Sequence, residues 1–86
     1  MSPRTGRKIA LSMPRTAPGE ARIRARDKVL DVVVGDCVRS GRKWRVTLWS
    51  RAGQHTTGDE FIYGESLKVL RAGLEERIDR AGPWWQ

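Results

Sequence analysis

Lys43-Trp44-Arg45-Val46-Thr47-Leu48-Trp49-Ser50 decides how this chain folds. Trp44, Val46 and Leu48 share one parity; Lys43, Arg45, Thr47 and Trp49 share the other. Successive side chains on a strand point to opposite faces, so a strand here carries one apolar face and one basic, aromatic-bearing face. Such a strand belongs in a sheet covered on one side only. Upstream, Val29-Leu30-Asp31-Val32-Val33-Val34 is the most β-branched run, and Gly35-Asp36-Cys37-Val38 extends it to Arg39 as another strand. Gly35 inside that run predicts a bulge or bend that switches side-chain parity. Ser40-Gly41, between Arg39 and Arg42, predicts a two-residue hairpin turn. Downstream, Arg51-Ala52-Gly53-Gln54 reads as a second turn, and His55 to Tyr63 returns as a third strand.

The next segment changes period. Leu67, Leu70, Leu74, Ile78 and Ala81 recur at intervals of three and four, which predicts an amphipathic helix over Ser66 to Ala81. Ser66 is a suitable N-cap, and Gly82-Pro83 a stop. Arg71 with Glu75 and Glu76 with Arg80 are spaced for i,i+4 pairs on the outer face. Gly73 weakens the helix by about 1 kcal/mol relative to alanine, and close packing on the sheet is one reason to keep it. The expected fold is α+β: a small three-stranded antiparallel β-meander packed against one C-terminal α-helix. The runner-up is an SH3-like β-barrel with a C-terminal helix. Val34-Gly35-Asp36-Cys37-Val38, Gly41 and Trp44-Arg45-Val46 resemble the opening of such barrels, with Leu67 to Leu70 as the closing strand.

N-terminal to the meander the pattern fades. Glu20 to Arg26 alternates Ala21, Ile23 and Ala25 with Arg22, Arg24 and Arg26, the period of an edge strand with one basic face. A short helix competes, since Ala and Arg are good helix formers. Residues 1–19 contain Pro3, Pro14 and Pro18 among Ser, Thr and Gly, and are expected to form a flexible, disordered basic arm. The division is therefore arm at 1–19 and a single βββα domain at 20–86. Such a domain has a narrow stability margin, which a partner or a homodimer would widen.

The 86 residues include 17 Lys+Arg and 10 Asp+Glu, a formal net charge of +7. The balance is +6 over Met1 to Arg26, +3 over Asp27 to Gly58 and −2 over Asp59 to Gln86. This asymmetry predicts an electropositive surface that meets a polyanion. Arginine outnumbers lysine 13 to 4, and its planar fork suits phosphates and guanine edges. Codon usage in a GC-rich genome is the plainer explanation of the same count. No apolar run approaches the roughly 18 residues of a membrane span, and no charged start leads into an apolar signal segment. The expected location is cytoplasmic, with no membrane partner. A single cysteine, Cys37, excludes an internal disulfide.

The expected nucleic-acid contacts are Arg45 and Trp49 on the open sheet face, Lys43 and Arg51 at the same parity, Arg39 and Arg42 beside the turn, and Arg22 and Arg24 on the edge strand. Basic side chains supply phosphate contacts and aromatic rings supply stacking surfaces. Trp49 has a competing role, covering a second small core. Arg4, Arg7, Lys8 and Arg15 would let the arm follow a groove or a strand. Trp84 and Trp85 either fold back on the core or form a protein contact. The aromatic strand at Trp44-Arg45-Val46, the Phe61 strand end and the helix from Ser66 resemble, in architecture, the small β-sheet DNA-binding domains of some tyrosine recombinases.

No phosphate-cradling glycine loop, nucleophile elbow or metal-ligand spacing is present, so no cofactor or metal is expected and the chain is read as a binder, not an enzyme. A ribonuclease using His55 as general base needs a second catalytic group that the sequence does not identify. The expected function is nucleic-acid binding, DNA ahead of RNA. The alternative is a small inhibitor or accessory protein, of a phage or mobile-element type, that binds a nucleic-acid-handling protein complex.

Overall fold

The structure, a computed structural model, describes residues 9–86. Strands β1 (Ala10–Ser12), β2 (Arg15–Ala17), β3 (Glu20–Arg26), β4 (Asp31–Ser40), β5 (Lys43–Leu48) and β6 (Glu60–Gly64) precede helix α1 (Leu67–Ala81). All pairings are antiparallel, in the lateral order β3, β4, β5, β6, with β1 and β2 lying end to end along the outer edge of β3. The α+β class and the C-terminal helix agree with the sequence pattern. Among the described residues the sheet has six strands, not three.

The extra strands come partly from the segment expected to be a disordered arm. Residues 10–12 and 15–17 pair with β3, while residues 1–8, with Arg4, Arg7 and Lys8, lie outside the described residues. Leu11 accounts for the ordering. It sits opposite Ala25, is 4% exposed and joins the core cluster. Burying a leucine contributes about 1.5–3 kcal/mol, enough to offset much of the entropy of ordering a short strand. Its N–H donates to Glu75 Oε2 of the helix at 3.1 Å, so one group of the sheet edge is satisfied by α1. The expected Arg71–Glu75 pairing gives way to this contact, whereas Glu76–Arg80 does form, at 3.9 Å.

The parity switch at Gly35 is present. Ile23 pairs with Gly35 but Arg24 pairs with Val33, so Val34 is the extra residue of a bulge. A Cβ on Gly35 would lie 2.5 Å from the Thr47 carbonyl oxygen and 3.0 Å from Ile23 Cδ1, so only glycine lets the two strands close up here. The Val34 carbonyl accepts the Trp49 N–H at 2.9 Å and Trp84 Nε1–H at 3.1 Å. The hairpin that follows has the expected two-residue turn, shifted one residue along the chain from Ser40-Gly41. Ser40 pairs with Lys43, and the two turn residues are Gly41 and Arg42. Gly41 takes φ 63°, as a mirror-type hairpin turn requires at its first central position. Past β5 the third expected strand is shorter than drawn, beginning at Glu60, with residues 49–59 as a loop.

One sheet face is buried under α1. Ile23, Val46 and Leu48 are at most 1% exposed, and Trp44, Leu70, Leu74, Ile78 and Trp85 belong to the same cluster. Ser66 caps the helix through its side chain, which accepts the Val69 N–H at 3.2 Å, and the Gly82 N–H returns to the Ile78 carbonyl at 2.8 Å. Leu67 to Leu70 form the first turn of this helix, which overturns the barrel alternative: no closing strand forms there, and among the described residues the sheet is open. A Cβ on Gly73 would meet nothing within 4 Å, so its expected role in close packing on the sheet is also overturned.

Candidate nucleic-acid interface

The second sheet face is not covered by the helix. Ladder partners share a face, so the register assigns its occupants directly. One row crosses the sheet as Glu20, Val38, Arg45 and Tyr63; the next as Arg22, Asp36, Thr47 and Phe61. Arg24 lies on this face beyond Arg22, and Lys43 beyond Arg45. Thus four of the expected contacts, Arg22, Arg24, Lys43 and Arg45, share one surface. Arg24 is partly engaged, donating to Asp31 Oδ1 at 3.0 Å.

The remaining expected contacts are dispersed. Arg39 pairs with Trp44 and therefore stands on the helix-bearing face. Arg15, opposite Ala21, stands on that face too, with its guanidinium 5.5 Å from the Trp44 ring centroid. That cation–π contact sets the exposed Arg15 side chain over the Trp44 ring at the end of the core. Arg42 sits in the hairpin turn and Arg51 in the 49–59 loop.

For Trp49 the structure favours the second of its two expected roles, a small core, over a free stacking surface. Its parity is as expected, but it is only 8% exposed. The indole Nε1–H donates to Asp36 Oδ2 at 2.9 Å, and the ring meets His55 edge-on at 6.1 Å. Trp therefore forms a small second core on the open face, and Thr47, 2% exposed, is buried on the same face two residues away. A large ring beside a shielding loop buries more area than it could as a free stacking surface. Trp84 and Trp85 likewise fold back. Trp85 is 6% exposed, Trp84 packs edge-on against it at 5.0 Å, and the pair is core material, not an exposed protein contact.

The loop that covers Trp49 is held by Asp59. Its carboxylate accepts the Ser50 N–H at 2.9 Å, the Thr56 N–H at 3.0 Å and the Thr56 hydroxyl at 2.8 Å. Burial pushes this carboxyl up, but those hydrogen bonds and the nearby His55 outweigh it and hold it below the usual carboxylate range. His55 Nε2 lies 3.5 Å from Asp59 Oδ2, and Ser50 Oγ meets Thr56 Oγ1. These contacts tie the loop together. Cys37 is a buried free thiol: burial first, then the Asp36 charge, pushes it up to about 12. Among the described residues no three His, Cys, Asp or Glu side chains cluster to hold a metal ion, and no helix is long and apolar enough to cross a membrane.

In place of Trp49, the open face presents Phe61 and Tyr63, 56% and 61% exposed. In the sequence pattern both are members of the third expected strand, with Phe61 near its end, and neither stands out as a contact. Their signal was the alternation Phe61-Ile62-Tyr63, in which Ile62 pairs with buried Val46 and so sends both rings outward. Arg45 stands between them: it is the ladder partner of Tyr63, and its guanidinium lies 5.8 Å from the Phe61 ring centroid. Val38, at the exposed boundary, extends the apolar part of the patch on the other side of Arg45. No family model, curated protein or solved structure matches this chain.

Proposed function

We propose that this protein binds nucleic acid through its uncovered sheet face, with DNA as the first ligand to test. The observation that carries the reading is the grouping of Arg45 with Phe61 and Tyr63, flanked by Lys43 and Arg22. Cations neutralise phosphates, and exposed rings offer flat surfaces to bases. The net charge of +7 supports it, since the patch belongs to a chain that polyanions attract.

The test is a salt series. Fluorescence anisotropy of labelled DNA should show binding that persists at physiological salt, with log K falling linearly against log salt. Lys43→Ala and Arg45→Ala should each flatten that slope by about one counterion. Binding that vanishes at physiological salt and ignores both substitutions would reduce the charge to a general surface property.

A second reading draws on the apolar part of the same patch. Val38, Phe61 and Tyr63 together make an uncharged surface of the kind that aromatic-rich protein interfaces use. On that reading the chain is an inhibitor or accessory factor that docks on a nucleic-acid-handling protein. Tight capture of one such protein, unaffected by competing DNA, would favour it.

A further inference from the structure

Phe61 and Tyr63 lie two residues apart on one face of β6. Strand geometry sets them about 6.8 Å apart along the chain. Bases in one strand of a duplex rise only about 3.4 Å per step and present edges, not faces. Two rings at twice that spacing can be used together only by bases that have been unstacked and splayed. The width of the sheet agrees. Five strand positions at about 4.8 Å span about 19 Å. A B-form major groove is about 12 Å wide and admits a helix or a two-stranded ribbon. The open face is too broad to enter it.

We infer that the face takes single-stranded nucleic acid, stacking two neighbouring bases on Phe61 and Tyr63 around the Arg45 guanidinium. This rests on the nucleic-acid reading above and specifies its ligand. Among the described residues β6 is an edge strand, with no strand beyond it on the outer side of the rings. Arg45 is placed to serve both rings, opposite one and over the other. Lys43 and the turn residue Arg42 continue positive charge away from the rings along the β4–β5 hairpin, where a sugar-phosphate backbone leaving the platform would run. Asp36, which would repel that backbone, is engaged by the Trp49 indole. Loading of the rings needs no readout of base edges, so the expected binding is tolerant of sequence.

The experiment compares an oligothymidine, an oligouridine and a mixed-sequence DNA duplex of equal length by anisotropy at physiological salt. The variants are Phe61→Ala, Tyr63→Ala, Phe61→Tyr and, as a control on the far side of the helix, Val69→Ala. The expected result is single strands bound at least about tenfold tighter than duplex. Each ring-to-alanine change should cost about 5- to 150-fold, with Phe61→Tyr and Val69→Ala close to the parent. Both rings are exposed, so thermal melts of the alanine variants should overlay the parent and exclude misfolding. Duplex bound as well as single strands, with the ring variants unchanged, overturns the stacking platform but leaves nucleic-acid binding standing. Absence of binding to all three probes overturns both.

Discussion

The two faces of one sheet make opposite use of the same alternation. Under α1, Ile23, Val46 and Leu48 are at most 1% exposed. On the other face, Phe61 and Tyr63 are more than half exposed although they flank Ile62 on the same strand. Both faces are built by the same ladders, so the difference does not come from strand propensity. It comes from what lies over each face among the described residues: a 15-residue helix on one, and on the other Trp49 and its loop over one end. The covered face carries stability. The open one is free to carry charge and rings that a core would exclude.

The most direct way to break this contrast is to remove one aromatic ring from each face. Trp44→Ala should cost about 3–5 kcal/mol in urea unfolding, because its ring is buried and the cavity cannot fully collapse. Phe61→Ala should stay within about 0.5 kcal/mol of the parent, as surface substitutions usually do. Equal losses would mean that the open face is itself a core, covered by a partner in solution.

Gly35→Ala probes the bulge that aligns the two faces. Its Cβ would collide with backbone, at 2.5 Å from the Thr47 carbonyl oxygen, so a loss of about 1–3 kcal/mol is expected. Gly64→Ala is the matched comparison. The three atoms nearest its Cβ all belong to the Leu70 side chain, at 2.6, 2.7 and 3.1 Å, and a side chain can shift where backbone cannot, so its loss should be the smaller of the two. The reverse order would place the constraint in the helix packing and not in the strand register.

A gain is expected on the outer side of the helix. Gly73→Ala meets no neighbour and should raise stability by about 1 kcal/mol, read as a higher melting temperature. No gain would point to an unseen role for that surface.

The smallest effects concern acid. The Arg77 guanidinium, donating to both Glu60 oxygens at 2.9 and 3.0 Å, holds that carboxyl below its usual range, and Asp59 is held low by the Ser50 and Thr56 hydrogen bonds. A depressed carboxylate contributes stability above its unfolded-state pKa of about 4 and loses it as pH falls through the folded value. Stability should therefore drop below about pH 4. Glu60→Gln and Asp59→Asn should each flatten that limb in urea titrations across pH. The Glu60 carboxylate is half exposed, so its pair with Arg77 contributes under about 1 kcal/mol. An acid limb unchanged by both variants would assign it to other carboxylates.

Much of this architecture was legible in local pattern. The stripe Leu70, Leu74, Ile78 marks the helix. The parity of Trp44, Val46 and Leu48 marks the covered face, and Gly35 marks the bulge. These signals are local because each depends only on backbone period and on a side chain's preference for burial. The strands at 10–12 and 15–17 were not legible, since three residues have no period, and Leu11 becomes a core residue only beside Ala25 and Glu75. The candidate site was half legible. Arg22, Arg24, Lys43 and Arg45 follow from alternation, but Trp49 and Phe61 could not be ranked by it. Both parities were readable; their exposures were not.

By itself, then, the sequence determined an α+β chain with an antiparallel sheet, a C-terminal helix and one sheet face rich in arginine. Tertiary structure alone decided which aromatic residues remain in water. Periodicity says which way a side chain points. Whether anything covers it depends on residues distant in the chain: Asp36 and His55 over Trp49, Val34 beneath Trp84, and open solvent over Phe61 and Tyr63.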